Sequence, residues 1–296
     1  MRVTLIHNDG AGDERFSGHD LVAAIRSAGH DVRRASAEDA EPALAEPADL
    51  VAVAGGDGTV REVFKQLPER GTPAAVIPTG SANNIARWLG IEPPDDLEQS
   101  VHGWSAAARR RFDVGLVSWG VHRRRFVESF GGGLMAEVIA LADAQEEDPG
   151  RDEKLEIGLR MLREAAARLD PAPWELTSPQ GALSGRMLGV ELMNVGESGP
   201  AIPLAPSADS GDGVLDVVVI DPAGGAALRE YAQDRLDGRP ARLPPPPARR
   251  WQQVTVCPPP GARLRLDDEL LDVLDSPELT VSIGELWLEV LVPARR

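Results

Sequence analysis

The 296-residue chain predicts an α/β N-terminal domain with a parallel sheet, residues 1–112, followed by an antiparallel β-sandwich-like domain, residues 113–296. Three observations lead there. Short apolar runs alternate with helical patterns through the first third, and after about Arg111 the hydrophobic period changes to two. A hydrophobic content of 42% against 26% charged residues is enough for a packed core.

The elements follow in order. "VTLIHN" reads as the first strand, and "HDLVAAIRSAG" as a helix closed by a glycine cap at Gly29. Strands "DVRRAS" and "DLVAVAG" come next, then a helix from about Thr59 to Leu67, the strand "AAVIP" and a helix from about Ala82 to Leu89. Strand, helix, strand in that order implies right-handed crossovers and a parallel sheet. In the second half "FDVGLVSWGVHRRRFVESF", "SGRMLGVELMNV", "GVLDVVVI", "RWQQVTVCP", "RLRLDDELLDVL" and "ELTVSIGELWLEVLVP" alternate as antiparallel strands do. One helix is expected to interrupt them, "EKLEIGLRMLREAAARL", with Leu155, Leu159, Leu162, Ala166 and Leu169 forming a packing stripe. "RPARLPPPPARR" reads as a stiff surface spacer.

A net charge of −16 excludes a nucleic-acid binder that draws its affinity from phosphate contacts, and it opposes loose adhesion to anionic lipid. The basic runs Arg109–Arg111, Arg123–Arg125 and Arg249–Arg250 read first as solvated surface. A single cysteine, Cys257, and an N-terminus without a signal-peptide layout make the cytoplasm the expected address, with transient contact at the inner membrane left open.

The chemistry concentrates where apolar strands stop at glycines. In "VAVAGGDGTV" a strand ends in a loop without side chains, which lets backbone N–H groups approach a phosphate, and a helix follows whose N-terminal dipole adds to the attraction. Asp57 in that loop is placed to bind Mg²⁺ or polarise nucleotide phosphates. "IPTGSANNIAR" repeats the design at a neighbouring strand end, and "HNDGAGD" makes a third glycine turn on the same edge.

"GGDGT" followed by "IPTGSANNIAR" resembles the diacylglycerol kinase catalytic family, which includes bacterial lipid kinases and sphingosine kinases and is distantly related to NAD kinases and phosphofructokinases. The likeness continues through "RRFDVGLV", "FVESFGGGLMAEV", "VELMNVG", "LAPSADSGDGVLDVVVI" and "LRLDDELL". The resemblance implies a nucleotide site at Asp57 with Gly55, Gly56, Gly58 and Thr59, a first glycine turn at Asn8, Gly10 and Gly12, and a second loop at Gly80, Ser81, Asn83 and Asn84. It also implies a functional Asp113, a structural Mg²⁺ site at Asp212 with the carbonyls of Asp209 and Val214, and a general base at Glu269 within "DDE". The activity so implied is ATP- and Mg²⁺-dependent phosphorylation of the hydroxyl of a diacylglycerol-like or other lipid alcohol, in an apolar cleft between the two domains.

Two departures from the family pattern stand out. Asn84 occupies a place where an aspartate is usual, and Asp268 replaces the glycine of Asp-Gly-Glu. They motivate one alternative, a non-catalytic nucleotide- or lipid-binding protein of the same fold. The other alternative is an NAD kinase-like enzyme, which shares "GGDGT".

Overall fold

A computed structural model describes residues 1–8, 16–80, 82–144, 151–272 and 278–294, save the side chains of Arg151 and Asp152. The chain divides into two compact units, Met1–Val114 with Glu285–Arg296, and Gly115–Gly284.

The first unit runs β1 (Arg2–His7), α1 (Gly18–Ser27), β2 (Asp31–Ser36), α2 (Ala40–Ala45), β3 (Leu50–Gly55), α3 (Asp57–Gln66), β4 (Ala74–Pro78), α4 (Asn84–Trp88) and α5 (Leu97–His102). Strands β2, β1, β3 and β4 lie side by side and all pair in parallel. Both faces of such a sheet are covered, so β3 and β4 are buried at every position and read as unbroken apolar runs. Ser17 opens α1 with a reciprocal capping box to Asp20, and Gly29 follows its end at φ +79°. Leu5, Leu21, Ile25, Ala52 and Ile77 form the core of this unit.

β5 (Ala108–Trp119) leaves the first unit, and the second unit continues with β6 (His122–Phe126), β7 (Ser129–Gly133), α6 (Leu134–Asp143), α7 (Arg151–Arg168), β8 (Ala172–Ser178), β9 (Gly181–Met187) and β10 (Gly189–Met193). Then come β11 (Leu215–Ile220), α8 (Pro222–Leu236), β12 (Ala248–Trp251), β13 (Gln253–Cys257), β14 (Leu264–Leu266), β15 (Glu269–Leu271) and β16 (Leu279–Val292), whose last residues belong to the first unit. One sheet of the second unit has the order β12-β11-β10-β7-β14-β15, antiparallel throughout. A second set of antiparallel pairs joins β16 to β13, β13 to β8, β8 to β9 and β5 to β6. Phe126, Phe130, Trp174, Leu192, Val217, Val254, Leu266 and Val281 come from both sets and share one core, which makes this region the sandwich that the alternation predicts.

One correction concerns helices. The alternating pattern leaves room for one, yet three interrupt the strands. α6 follows the glycines of "SFGGG", and α8 begins "PAGG", a string that reads as a turn; proline at the first helical position and Asp221 accepting from Gly224 N–H turn it into a helix start instead. In α7, Leu159, Leu162 and Ala165 are buried, and the helix packs against α6 and α8. Of the expected stripe, Leu159 and Leu162 are buried, Leu155 and Ala166 are half-buried and Leu169 lies past the helix end, so the packing face is centred on Leu159, Leu162 and Ala165. Among the described residues no helix is long and apolar enough to cross a membrane.

Candidate functional site

The strand ends of the first unit bring two glycine loops into backbone contact. A Cβ built on Gly80 would stand 2.3 Å from the Gly56 Cα, closer than any real side chain comes, so this approach exists only because both residues are glycine. Thr79 N–H closes the gap with a bond to the Gly55 carbonyl at 3.1 Å. Gly56 is the N-cap of α3, which begins at Asp57, two residues earlier than the sequence suggests.

Asp57 links the loops chemically. Its Oδ2 accepts from Asn84 N–H and its Oδ1 from Ile85 N–H, each at 3.0 Å. The carboxylate therefore caps the start of α4, contributing about 1 kcal/mol, and keeps a lone pair on each oxygen for another partner. Asn83 adopts a left-handed backbone, φ +49°, and its amide exchanges two bonds with Gly80, Oδ1 accepting from N–H at 3.0 Å and Nδ2 donating to the carbonyl at 2.7 Å. Asn84, which stands where a carboxylate is usual, is buried and accepts from Arg87 Nη2 at 2.9 Å. That guanidinium is a partner the sequence reasoning passed over, although Arg87 lies three residues on, one helical turn away.

Beside these loops lies a cavity of about 300 Å³ lined by Ile6, Asn8, Ala37, Gly56, Gly58 and Thr59 among others. Asn8 N–H bonds the Ala54 carbonyl at 3.3 Å, which holds the first turn against β3. Asn8, Gly55, Gly56, Asp57, Gly58, Thr59, Gly80, Asn83 and Asn84 are thus gathered at one edge of the parallel sheet. Gly10, Gly12 and Ser81 lie outside the described residues. Glu62 also lines the cavity, one turn after Gly58 on α3; helical spacing was the signal for it.

Asp113 lies in the same unit on β5 with no solvent exposure, its Oδ1 taking bonds from Arg111 Nε and Nη2 at 2.7 Å each. Arg111 in turn lies over the Trp287 ring, 5.2 Å from its centre. Next to Asp113, Phe112 meets Phe64 of α3 edge-on at 5.3 Å, which ties β5 to the helix that carries Asp57. Among the described residues no cluster of three or more His, Cys, Asp and Glu forms a ready cation cage. Asp57 keeps a lone pair on each oxygen, the kind of donor Mg²⁺ takes when phosphates and water supply most of its ligands, so this loop fits a nucleotide-bound ion; Asp113 would have to share its carboxylate with Arg111.

The other predicted residues belong to the second unit. Asp212 sits in the turn before β11, its Oδ1 accepting from Val214 N–H at 3.1 Å while Oδ2 pairs with Arg250. Asp209 caps Gly211 N–H at 3.1 Å, and its carbonyl accepts from Asp212 N–H at 3.3 Å. Arg250 is also the cross-strand neighbour of buried Asp216, whose carboxyl is raised above its ordinary value mainly by burial, against the pull of Arg250. A cation in this turn would have to share Asp212 with a guanidinium.

Glu269 opens β15 with its carboxylate largely exposed, 3.5 Å from Arg124 of β6. The turn before it is the tightly held part. Asp267 has φ +56° and is buried, and its Oδ1 accepts from the N–H groups of Val127, Glu128 and Ser129 at 3.0, 2.8 and 3.3 Å. The left-handed position falls on Asp267 and not on Asp268, so a side chain in place of the usual glycine at 268 costs no backbone strain.

Residues 2–117 match the diacylglycerol kinase catalytic domain family. A diacylglycerol kinase of Bacillus subtilis (strain 168) is 28% identical over 249 residues, 80% of this chain and 79% of its own length. A probable YegS-like lipid kinase of Pseudomonas aeruginosa (strain UCBPP-PA14) is 30% identical over 228 residues, 74% of this chain and 71% of its own. The fold is that of a diacylglycerol kinase crystal structure from Bacillus anthracis str. Sterne, with a TM-score of 0.69 at 17% identity, covering 98% of this chain and 96% of that one. A second structure from that organism gives 0.73 at 20% identity, covering 98% and 97%. With the glycine loops, the Asp57 link and relatives matched along most of their length, the chain belongs to the diacylglycerol kinase catalytic domain family.

Proposed function

We propose that the protein transfers the γ-phosphoryl group of ATP to the hydroxyl of a lipid alcohol, diacylglycerol-like in chemistry, with Mg²⁺. The observation that carries this reading is the joined pair of loops: two strand ends meet at Gly56 and Gly80, and the Asp57 carboxylate spans them beside a cavity of about 300 Å³. The names of the relatives supply the class of acceptor.

Phosphoryl transfer asks for position and charge neutralisation more than for covalent chemistry. The N-terminus of α3, with Gly56 and Gly58 free of side chains, receives phosphate oxygens on backbone N–H groups. Asp57 and Asp113 would hold the Mg²⁺, which when bound neutralises charge on the nucleotide phosphates. Asp57 keeps its orientation through the Asn84 and Ile85 N–H groups, while Arg87 fixes the Asn84 amide. Glu269, whose carboxylate is largely exposed, accepts the proton of the attacking hydroxyl. The attacking oxygen forms its bond to phosphorus as the bond to ADP breaks, and its proton passes to Glu269.

The test is ATP consumption by purified protein with Mg²⁺ across diacylglycerol, a sphingoid base, other lipid alcohols and NAD, with Asp57→Ala as control. Transfer to one lipid alcohol that disappears in the variant is the expected result. Transfer to NAD alone would move the assignment to an NAD kinase-like enzyme. Nucleotide binding without transfer to any acceptor would make the protein a binding module of the same fold, the reading that Asn84 favours.

A further inference from the structure

The second unit buries a charge pair that this mechanism does not use. Arg265 and Glu191 are 3% and 0% exposed, and they occupy one rung of the antiparallel sheet: Glu191 of β10 pairs with Gly131 of β7, and Gly131 pairs with Arg265 of β14. Residues directly opposite one another share a face, so only a glycine separates the two charges. A Cβ on Gly131 would stand 2.2 Å from Glu191 Oε2. The missing side chain is what lets the pair meet across two strand spacings, about 10 Å of sheet.

Each of the three guanidinium nitrogens of Arg265 has a partner, and the two N–H groups of Nη2 are shared among three acceptors. Nε donates to Glu191 Oε1 at 3.3 Å and Nη2 to Oε2; Nη2 also reaches the hydroxyls of Ser129 and Ser198 at 2.9 Å each. Nη1 donates to the carbonyl of Asp267. That last bond ties the pair to the turn that carries Glu269. Asp267 is held in its left-handed conformation from both ends, its carboxylate by the backbone of residues 127–129 and its carbonyl by Arg265. Such a backbone costs an L-residue on the order of 1–2 kcal/mol, which the surrounding bonds must overcome.

A purely structural rung would be served as well by two apolar side chains, because a buried ion pair returns little more than its desolvation cost. An apolar chain, however, has no donor for the Asp267 carbonyl. We propose that Arg265, held by Glu191, Ser129 and Ser198, is a positioning residue for Glu269: it fixes the left-handed turn from which the proton acceptor projects. This rests on the kinase reading for the role of Glu269, while the clamp on the turn stands on geometry alone.

The test compares wild type with the double variant Arg265→Met/Glu191→Met, which leaves no unpaired charge behind, and with Arg265→Lys as a milder change should the double variant fail to fold. Amide hydrogen exchange at 127–129 and 267–269 is expected to accelerate at least tenfold with amides of β3 and α3 unchanged, and kcat for the lipid alcohol to fall about a hundredfold at an unmoved KM for ATP. Arg265→Lys, which cannot bond Glu191 and the Asp267 carbonyl in the same fork, shifts both readouts the same way by less. Wild-type exchange at 267–269 in a folded variant, or kcat within threefold of wild type, overturns the proposal. A wild-type protein that transfers phosphate to no acceptor overturns the kinase reading and with it the role of Glu269, and the exchange data then still decide whether the pair holds the turn.

Discussion

The glycine loops of the first unit make their site by leaving side chains out, whereas the turn before Glu269 in the second unit is made by burying charge. At Gly56 and Gly80 two backbones touch, and one partly exposed carboxylate, Asp57, joins them. Around Asp267 the backbone takes a left-handed bend, held by its own carboxylate and by a guanidinium that two serine hydroxyls fix in the interior. The two regions are fragile in opposite ways. The first fails when a group is added, the second when one is removed.

Asp57 carries the largest expected effect, since it is both a cap and a proposed ligand. Asp57→Asn keeps one acceptor for the α4 N–H groups but loses the charge, so transfer should fall about a thousandfold while thermal stability drops by about 1 kcal/mol, near 2–4 °C. A variant that still transfers phosphate would reduce Asp57 to a structural cap.

Glu269→Gln comes next. With the proton acceptor gone, kcat should fall about a hundredfold or more at unchanged ATP affinity, and the exposed position predicts no loss of stability. Loss of ATP binding in this variant would place the residue in the nucleotide site instead.

Gly80→Ala probes the first unit by addition. The new methyl would stand 2.3 Å from the Gly56 Cα, and backbone on both sides gives way poorly, so about 1–3 kcal/mol of stability is lost and nucleotide affinity falls with it. Unaltered melting and ATP titration would mean that the two loops do not meet in solution.

A pH series tests the second unit. Burial pushes the Glu191 carboxyl up to about 7, against the pull of Arg265 in the other direction and from an ordinary value of 4.5. The folded state then holds its proton to higher pH than the unfolded chain, so this group's contribution is fully present below about pH 4.5 and is lost as pH rises through about 7. Glu191→Gln cannot ionise, and the melting temperature of wild type minus that of the variant should fall between pH 5 and 8. A flat difference would show Arg265 holding the carboxylate ionised over the whole range.

The smallest effect concerns Asp212. If Mg²⁺ enters its turn, Arg250→Gln should enlarge the rise in melting temperature that millimolar Mg²⁺ gives, because the guanidinium no longer competes for Oδ2. An equal response in both proteins would mean that Mg²⁺ does not enter this turn.

Much of the fold was legible because it rests on local patterns. Buried parallel strands must be apolar at every position, and "LVAVAG" and "AAVIP" are. Two-residue alternation marked the sandwich, and helical spacing marked the face of α7. α6 and α8 were missed because their first turns carry glycine and proline, which signal a turn until a cap and a packing partner are known. In the candidate site the same divide holds. Glycine runs at strand ends announce a place where backbone meets a ligand, whereas nothing local in "VELMNVG" or "LRLDDELL" says that Glu191 and Arg265 will meet.

The parallel and antiparallel halves, the glycine loops with Asp57 and the family can be read along the chain, since each depends on residues close together in it. Folding of the whole chain sets that Gly80 touches Gly56, that Asp57 caps a helix 27 residues on, and that Arg265 reaches Glu191 across Gly131. Those contacts join segments whose separation along the chain carries no periodic signal, and strand register, which sets who faces whom, is fixed by packing of the whole sheet.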